Sequence, residues 1–212
     1  MKFIKMMGLA VVAALAVMAM VGASAASASG TACKTNSEPC PAGDLYAAGT
    51  KMTAQLVPGT HATLTSSVGN VTCKNSTVAG VLNEPAKAHG EITSLTFTNC
   101  TLGETECTVS ATKPPYTVTG IATPAVLGKG NGDFTVTQKA GGSVPGATVV
   151  CGFFINCTFS STDITLKFTG GSPAKLKAEA VNLNRSGGIC PSTSVWHAEY
   201  EVTAPKPLFL TV

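Results

Sequence analysis

Eight cysteines are the residues of this chain best suited to covalent chemistry, and all of them lie beyond residue 30. In an exported protein, an even number of cysteines predicts a framework of disulfides. Clustered cysteines can also bind zinc, but this chain lacks the CxxC spacing that many zinc sites use. We therefore expect all eight to form disulfides: Cys33, Cys40, Cys73, Cys100, Cys107, Cys151, Cys157 and Cys190.

The pairing of these cysteines is not determined by the sequence, because eight cysteines can pair in about 105 ways. Proximity along the chain favours three short loops, which leaves two cysteines for a long-range bond. These pairs are Cys33 with Cys40, Cys100 with Cys107, Cys151 with Cys157, and Cys73 with Cys190. An alternative joins Cys73 to Cys100 and Cys107 to Cys190. In the first set the Cys73–Cys190 bond closes the longest loop and stabilises the fold most, by roughly 4 to 5 kcal/mol.

A second group with chemical potential is His197, Glu199 and Glu201, which alternate with apolar residues near the C-terminus. In a strand, residues two apart lie on one face at intervals of about 6 to 7 Å. An imidazole and two carboxylates so arranged are weak candidates for a divalent cation site or for a general base. The same alternation is typical of a solvated strand face, which is the interpretation we favour.

Other catalytic patterns are missing from the sequence, including GxSxG, HExxH and the phosphate-binding glycine loops. Glu104 and Glu106 could form the acid pair of a glycosidase, but they fall in a predicted hairpin turn between Cys100 and Cys107. A catalytic pair needs carboxyls that face each other across a cleft. We therefore predict no catalytic residue, no bound metal and no cofactor.

Residues 1–28 have the pattern of a signal peptide, with cleavage near residue 25 or 28. Lys2 and Lys5 precede an apolar run over residues 6–21, and small residues follow at the predicted cleavage sites. The run is shorter than the roughly 20 apolar residues that span a bilayer. We expect a bacterial protein that is secreted or held in the cell envelope, with no transmembrane segment once the leader is removed.

The charge of the chain excludes one class of partner. The formal net charge is +3, and Lys2 and Lys5 in the leader contribute most of it. The remaining chain is close to neutral and has no polybasic stretch, so we expect no nucleic-acid partner.

Alternating residues predict strands along the rest of the chain. Apolar residues at every second position are expected to face inward, with threonine, lysine and glutamate outward. Glycine and proline pairs separate these segments and indicate turns. The predicted inward residues are Leu95, Phe97, Cys107, Val109, Ala111, Phe134, Val136, Ile164, Leu166, Phe168, Leu176, Ala178, Ala180, Trp196, Ala198, Tyr200 and Val202.

Short strands at this spacing predict an all-β fold, specifically an antiparallel β-sandwich of the Ig-like or Greek-key type with disulfides. Residues 29–50 are rich in alanine, serine and glycine, and we expect them to form a flexible N-terminal arm with a Cys33–Cys40 loop. The sandwich domain is expected over residues 51–212. The apolar tail 208–212 could be an edge strand through which two copies of the protein associate, and cell-envelope components are the other expected partners.

Parts of the sequence resemble a group of known proteins. The stretches 62–73, 90–100 and 190–200, together with 207–209, resemble those of uncharacterised secreted, cysteine-containing, β-rich proteins of actinobacteria. The resemblance implies an exported β-rich protein and carries no catalytic residue.

Three functional hypotheses follow from the sequence. The first is a structural or adhesive, non-enzymatic protein of the extracellular space or cell envelope. The second is a carbohydrate- or small-ligand-binding module, with Trp196, Tyr116 and Tyr46 as contacts. The third is a secreted hydrolase, which would require His197 to meet acids from other strands.

Overall fold

The computed structural model describes residues 28–124, 128–185 and 190–212. The predicted signal peptide lies outside the described residues except for Ala28. The described chain forms strands joined by turns and two short 3-10 segments, at Ala42–Asp44 and Pro85–Lys87. The strands are β1 (Ala28–Ser29), β2 (Thr31–Cys33), β3 (Thr50–Leu56), β4 (Ala62–Ser66), β5 (Gly69–Glu84), β6 (His89–Leu102), β7 (Thr105–Ala111), β8 (Tyr116–Ala122), β9 (Gly132–Gln138), β10 (Gly146–Cys151), β11 (Ile155–Ser160), β12 (Asp163–Thr169), β13 (Lys175–Arg185), β14 (Thr193–Ala204) and β15 (Phe209–Thr211).

The main sheet is an up-and-down meander that closes on itself. Four long strands, β5, β6, β13 and β14, run through its whole length. Each of the other four positions holds two short strands end to end, β3 with β4, β8 with β7, β9 with β10, and β12 with β11. Every neighbouring pair is antiparallel, and β14 pairs with both β3 and β4 to complete the ring. The result is an eight-stranded barrel.

The all-β class and the disulfides of the prediction are confirmed, and the open sandwich is corrected to a closed barrel. Alternation identifies which face of each strand is apolar, and both folds satisfy it. What separates them is whether the first and last strands pair, and that contact joins residues far apart in the chain. Tyr200 of β14, for example, lies opposite Leu56 of β3.

The predicted inward faces are confirmed on most strands. On β9 the side chains of Phe134 and Val136 are buried, and on β12 those of Ile164, Leu166 and Phe168 are buried. These residues point into the barrel, where they form a continuous apolar core.

This alternation is interrupted near the middle of three long strands, and on β6 and β13 a register shift marks a bulge at that place. Two consecutive residues are exposed at Lys74 and Asn75 of β5, at Thr98 and Asn99 of β6, and at Glu179 and Ala180 of β13. Asn99 and Ala180 have positive φ angles of 54°. An extra residue of this kind reverses the faces beyond it, so Ala180, predicted to face inward, is exposed.

The meander gives the barrel two distinct ends, because alternate turns of an up-and-down sheet lie together. The turns at 67–68, 103–104 and 152–154 lie at one end, which we call the cysteine end because Cys100, Cys107, Cys151 and Cys157 lie within three residues of these turns. The opposite end, the terminal end, carries the segments that precede β3 and follow β14.

Residues 29–50 are part of the folded body at the terminal end, and the flexible arm of the prediction is corrected. Strand β2 pairs with β15, and Ala32 and Cys33 are buried. The Tyr46 hydroxyl donates a hydrogen bond to the Pro207 carbonyl. Burial of the two strands against the barrel offsets the entropy lost on ordering this segment.

The C-terminal tail is paired within its own chain. Leu208 and Leu210 are buried, and β15 uses β2 as its neighbour. The tail therefore has a pairing partner within its own chain, and the predicted association of two copies through it stays a prediction.

In the described part of the chain, no helix is long and apolar enough to cross a membrane.

Candidate functional site

An apolar cavity of about 150 Å³ lies inside the barrel. Its wall combines inward side chains from around the ring, among them Leu64, Val71, Phe97, Phe134, Phe168 and Trp196. An eight-stranded barrel has an interior just wide enough to be filled by side chains or to hold one small ligand. Here small residues on the inward face, such as Ala54, Ala62 and Ala147, also line the space, which explains why it is incompletely filled.

Trp196 is the single tryptophan of the chain and lines this cavity. Alternation on β14 places it inward together with Ala198, Tyr200 and Val202, as predicted. The indole packs 6.4 Å from the Tyr200 ring, measured between centroids. On the opposite part of the wall, the rings of Phe134 and Phe168 meet edge to face at 5.1 Å. Aromatic rings therefore provide contact surface on more than one side of the cavity.

The tyrosine hydroxyls near the cavity are engaged by protein groups. Tyr200 lies 2.9 Å from the Ser76 hydroxyl, and Tyr116 lies 3.0 Å from the Thr112 hydroxyl. Burial raises the pKa of both phenols above the ordinary value, partly offset by these hydrogen bonds, and the rise is greatest for Tyr200. The phenols are therefore uncharged at neutral pH, and the cavity carries no tyrosinate.

One buried hydroxyl close to the cavity is not satisfied in this way. Ser194 precedes Trp196 by two residues on the inward face of β14, is 2% exposed, and its Oγ has no hydrogen-bond partner among the described residues. An unpaired buried hydroxyl costs about 1–3 kcal/mol. In the described part of the chain, Ser194 Oγ is therefore a polar atom without a hydrogen-bond partner on the inward face of β14, among otherwise apolar side chains.

The buried Tyr200 hydroxyl predicts that the protein loses stability at alkaline pH. Above about pH 10 the phenol of the unfolded chain gives up its proton, whereas the raised pKa of Tyr200 keeps the folded phenol protonated. The unfolded state therefore binds fewer protons, and the free energy of unfolding falls as pH rises. From Tyr200 alone the fall should reach about 1.4 kcal/mol at pH 11. Urea unfolding at pH 8, 10 and 11 measures it.

The matched variant for this experiment is Tyr200→Phe together with Ser76→Ala. It removes the titrating group and also the hydroxyl that would otherwise lose its partner. Its stability should fall less between pH 8 and pH 11 than that of the unchanged protein. Equal pH dependence in the two proteins would contradict a protonated, buried Tyr200.

All eight cysteines form disulfides, and only one pair of the first predicted set, Cys33–Cys40, is confirmed. The bonds are Cys33–Cys40, Cys73–Cys100, Cys107–Cys151 and Cys157–Cys190. The predicted pairs Cys100–Cys107, Cys151–Cys157 and Cys73–Cys190 are wrong. In the alternative set Cys73–Cys100 is right and Cys107–Cys190 is wrong.

The geometry of the barrel explains these errors. Cys73, Cys100, Cys107 and Cys151 are successive cross-strand partners on β5, β6, β7 and β10, so they form one row across four strands. Cys100 therefore has a cysteine neighbour on each side. Bonding Cys100 to Cys107 would leave Cys73 and Cys151 three strands apart, whereas the observed pairing satisfies all four.

The candidate cation ligands lie on the outward face of β14, each with its own neighbour. His197 Nδ1 accepts a hydrogen bond from the Ala180 amide at 3.2 Å, Glu199 pairs with Lys175 at 3.1 Å, and Glu201 accepts from Gln55 at 2.9 Å. Within residues 28–124, 128–185 and 190–212, no group of three His, Cys, Asp or Glu side chains could hold a metal ion. Each of the three side chains thus has a partner of its own on this face.

The aromatic residues proposed as sugar contacts do not form an exposed platform. Tyr116 is buried in the core, Tyr46 is buried at the terminal end, and Trp196 faces the cavity. Glu104 and Glu106 are exposed at the turn between β6 and β7. The hypothesis that gains most from this geometry is a small apolar ligand rather than a carbohydrate.

The chain has no match among protein-family models, curated proteins or solved structures.

Two features of possible functional importance were missed by sequence reasoning. The cavity depends on how side chains from eight strands meet, which no local pattern encodes. Phe153 and Phe154, in the turn between β10 and β11, are 101% and 98% exposed. The adjacent Gly152, with a positive φ of 55°, is a signal for a turn that could have placed them outside the core.

Proposed function

We propose that this protein is a secreted, non-enzymatic binding protein of the extracellular space or cell envelope, and that it holds a small, uncharged, apolar molecule inside its barrel. The observation that carries the proposal is the cavity of about 150 Å³ with an almost wholly apolar wall. A well-formed apolar pocket is the default candidate for a ligand-binding site.

The compartment is supported by two independent features. Four disulfides suggest an oxidising environment, because such bonds persist outside the cytoplasm and are rare within it. The first 28 residues carry the pattern of a secretory leader.

The size of the cavity limits the ligand. An apolar cavity of this volume stays free of water and accepts a molecule the size of benzene. Pockets for drug-sized molecules are larger, about 300–1000 Å³. We therefore expect a single aromatic ring or a compact hydrocarbon rather than a sterol or a sugar.

The chemistry of the wall excludes charged ligands. The Glu91 residue that borders the cavity directs its carboxylate to Lys139, at 2.8 Å. Burying a charge without a partner is far more costly than the gain from apolar contact. An organic acid with the same ring should therefore fail to bind.

Fluorescence of Trp196 provides a direct test, because this residue is the only tryptophan and lines the cavity. Titration of the full, oxidised protein with toluene should change the emission in a saturable way. Benzoate, which has the same ring and a negative charge, should leave it unchanged. A linear or absent response to toluene would contradict the proposal.

Two variants on the same strand separate binding in the cavity from binding elsewhere. Ala62→Leu adds three carbons to the lining of the cavity and should weaken toluene binding at least about tenfold. Thr65→Leu adds apolar surface on the exposed face of β4 and should bind like the unchanged protein. If Ala62→Leu does not fold, Ala147→Val fills the same space from β10. Equal affinity in the filled and unfilled proteins would contradict the site.

A structural or adhesive role is the second candidate, favoured by the concentration of three disulfides toward one end of the barrel. Such crosslinks resist unfolding outside the cell and serve a scaffold as well as a binding protein. The absence of any saturable apolar ligand would favour this role.

A further inference from the structure

Large exposed hydrophobic residues concentrate at the cysteine end. The described residues of this kind are Val68, Val150, Phe153, Phe154 and Val212. Val68 lies in the turn between β4 and β5, and Phe153 and Phe154 lie in the turn between β10 and β11. Both turns belong to the cysteine end, and Val150 lies two residues before the second turn. Phe153 and Phe154 are adjacent in one turn, and an exposed apolar pair of this kind marks a contact with another apolar surface.

The turn that carries the two phenylalanines has a fixed base. Cys151, immediately before it, is 3% exposed and bonded to Cys107, and Ile155, immediately after it, packs against the core. The disulfide and the strand pairing fix the backbone on both sides of the turn. Binding through the turn therefore costs little backbone entropy, and the cost that remains is the rotamer freedom of the two exposed rings.

The apolar area of the turn that carries Phe153 and Phe154 is too small for a stable protein interface. Two phenylalanine side chains bury roughly 300–500 Å², whereas a standard protein–protein interface buries about 800 Å² on each partner. Insertion into a lipid layer needs no complementary partner surface, because its gain follows the apolar area removed from water. The exposed Phe153–Phe154 turn is therefore better suited to a lipid surface than to a second protein.

The charged side chains near the Phe153–Phe154 turn determine which headgroup charge is compatible with binding. The turn between β6 and β7 lies beside it, since Thr105 is the nearest neighbour that a Cβ on Gly152 would meet, at 3.6 Å. Glu104 and Glu106 flank Thr105 and are exposed. Carboxylates repel anionic headgroups, so a surface without net charge is favoured.

We propose that the cysteine end docks on a lipid surface without net charge, with Phe153 and Phe154 inserted among the acyl chains and Val68 resting at the interface. Neither phenylalanine lines the cavity, so this contact is separate from the ligand site. The barrel axis would then lie roughly perpendicular to the lipid surface, with the terminal end facing away from it.

Flotation of the full, oxidised protein with vesicles tests this contact. The protein should float with vesicles of pure phosphatidylcholine and bind less to an equal mixture with phosphatidylglycerol. The double variant Phe153→Ser with Phe154→Ser should lower partitioning at least about tenfold. Because both side chains are fully exposed, its unfolding temperature should remain that of the unchanged protein.

Two further variants control the interpretation. Val212→Ser removes an exposed apolar side chain away from the cysteine end and should bind vesicles normally. Replacing both phenylalanines by leucine should retain most of the binding. No flotation with phosphatidylcholine, or equal flotation of the serine variant, would overturn the proposal. So would sedimentation showing that the phenylalanines drive self-association instead of vesicle binding.

Discussion

Replacing Cys107 and Cys151 together by alanine should lower the free energy of unfolding by about 4 kcal/mol. Their bond joins residues 44 apart in sequence, and in the chain-entropy model a loop of this length restricts the unfolded state by about that amount. For a protein of this size the unfolding temperature should fall by about 8 to 16 °C. Differential scanning calorimetry of the oxidised variant measures this change.

The Cys33–Cys40 bond provides the matched control. It joins residues only seven apart, so the same double replacement there should cost about 2.5 kcal/mol. A peptide map of the unreduced protein should recover Cys107 linked to Cys151. An equal cost for the two replacements would show that loop length does not govern stability here, and a Cys100–Cys107 peptide would contradict the observed pairing of the four cysteines in the row.

The cysteine row explains why local reasoning about the sequence identified bonded residues without their partners. Counting cysteines after a leader predicts that all of them are oxidised. Choosing partners requires the register of β5 with β6 and of β7 with β10, pairings that span up to 44 residues. Cys100 has a cysteine opposite it on each of the two neighbouring strands. Its partner is therefore decided only by the positions of all four cysteines in the row.

Alternation predicted strands and their inward faces well because each follows from neighbouring residues. It worked for Phe134, Val136 and Trp196, whose side chains line the cavity. It failed at Ala180, where a bulge with a positive φ reverses the face of β13. No residue type at this position announces the bulge, since alanine rarely adopts such a conformation.

The candidate sites also divide into those that local alternation predicts and those that it does not. His197, Glu199 and Glu201 lie on one face of β14, and a period of two is enough to place them there. The cavity and the exposed Phe153–Phe154 turn depend on barrel closure and on the length of one hairpin. In sequence, two adjacent phenylalanines are typical of a buried strand, and the three-residue turn that begins at Gly152 places them outside the core.

Replacing Phe168 by alanine should lower the free energy of unfolding by about 3 to 5 kcal/mol, the usual cost of emptying a buried aromatic site. Phe168 is 1% exposed, packs edge to face against Phe134 and lines the cavity. The substitution should therefore enlarge a space that already exists. Urea unfolding with and without an apolar ligand measures both effects.

If the barrel binds apolar molecules, the enlarged cavity should accept a ligand with two rings. Naphthalene at one hundred times its dissociation constant would restore about 2.7 kcal/mol to Phe168→Ala. The matched control is Phe159→Ala, because Phe159 is equally buried but does not line the cavity. It should lose similar stability yet gain little from naphthalene, since it leaves room for a single ring. An equal gain in the free energy of unfolding for the two variants would contradict a preformed site. Naphthalene would then be filling any cavity that a substitution creates.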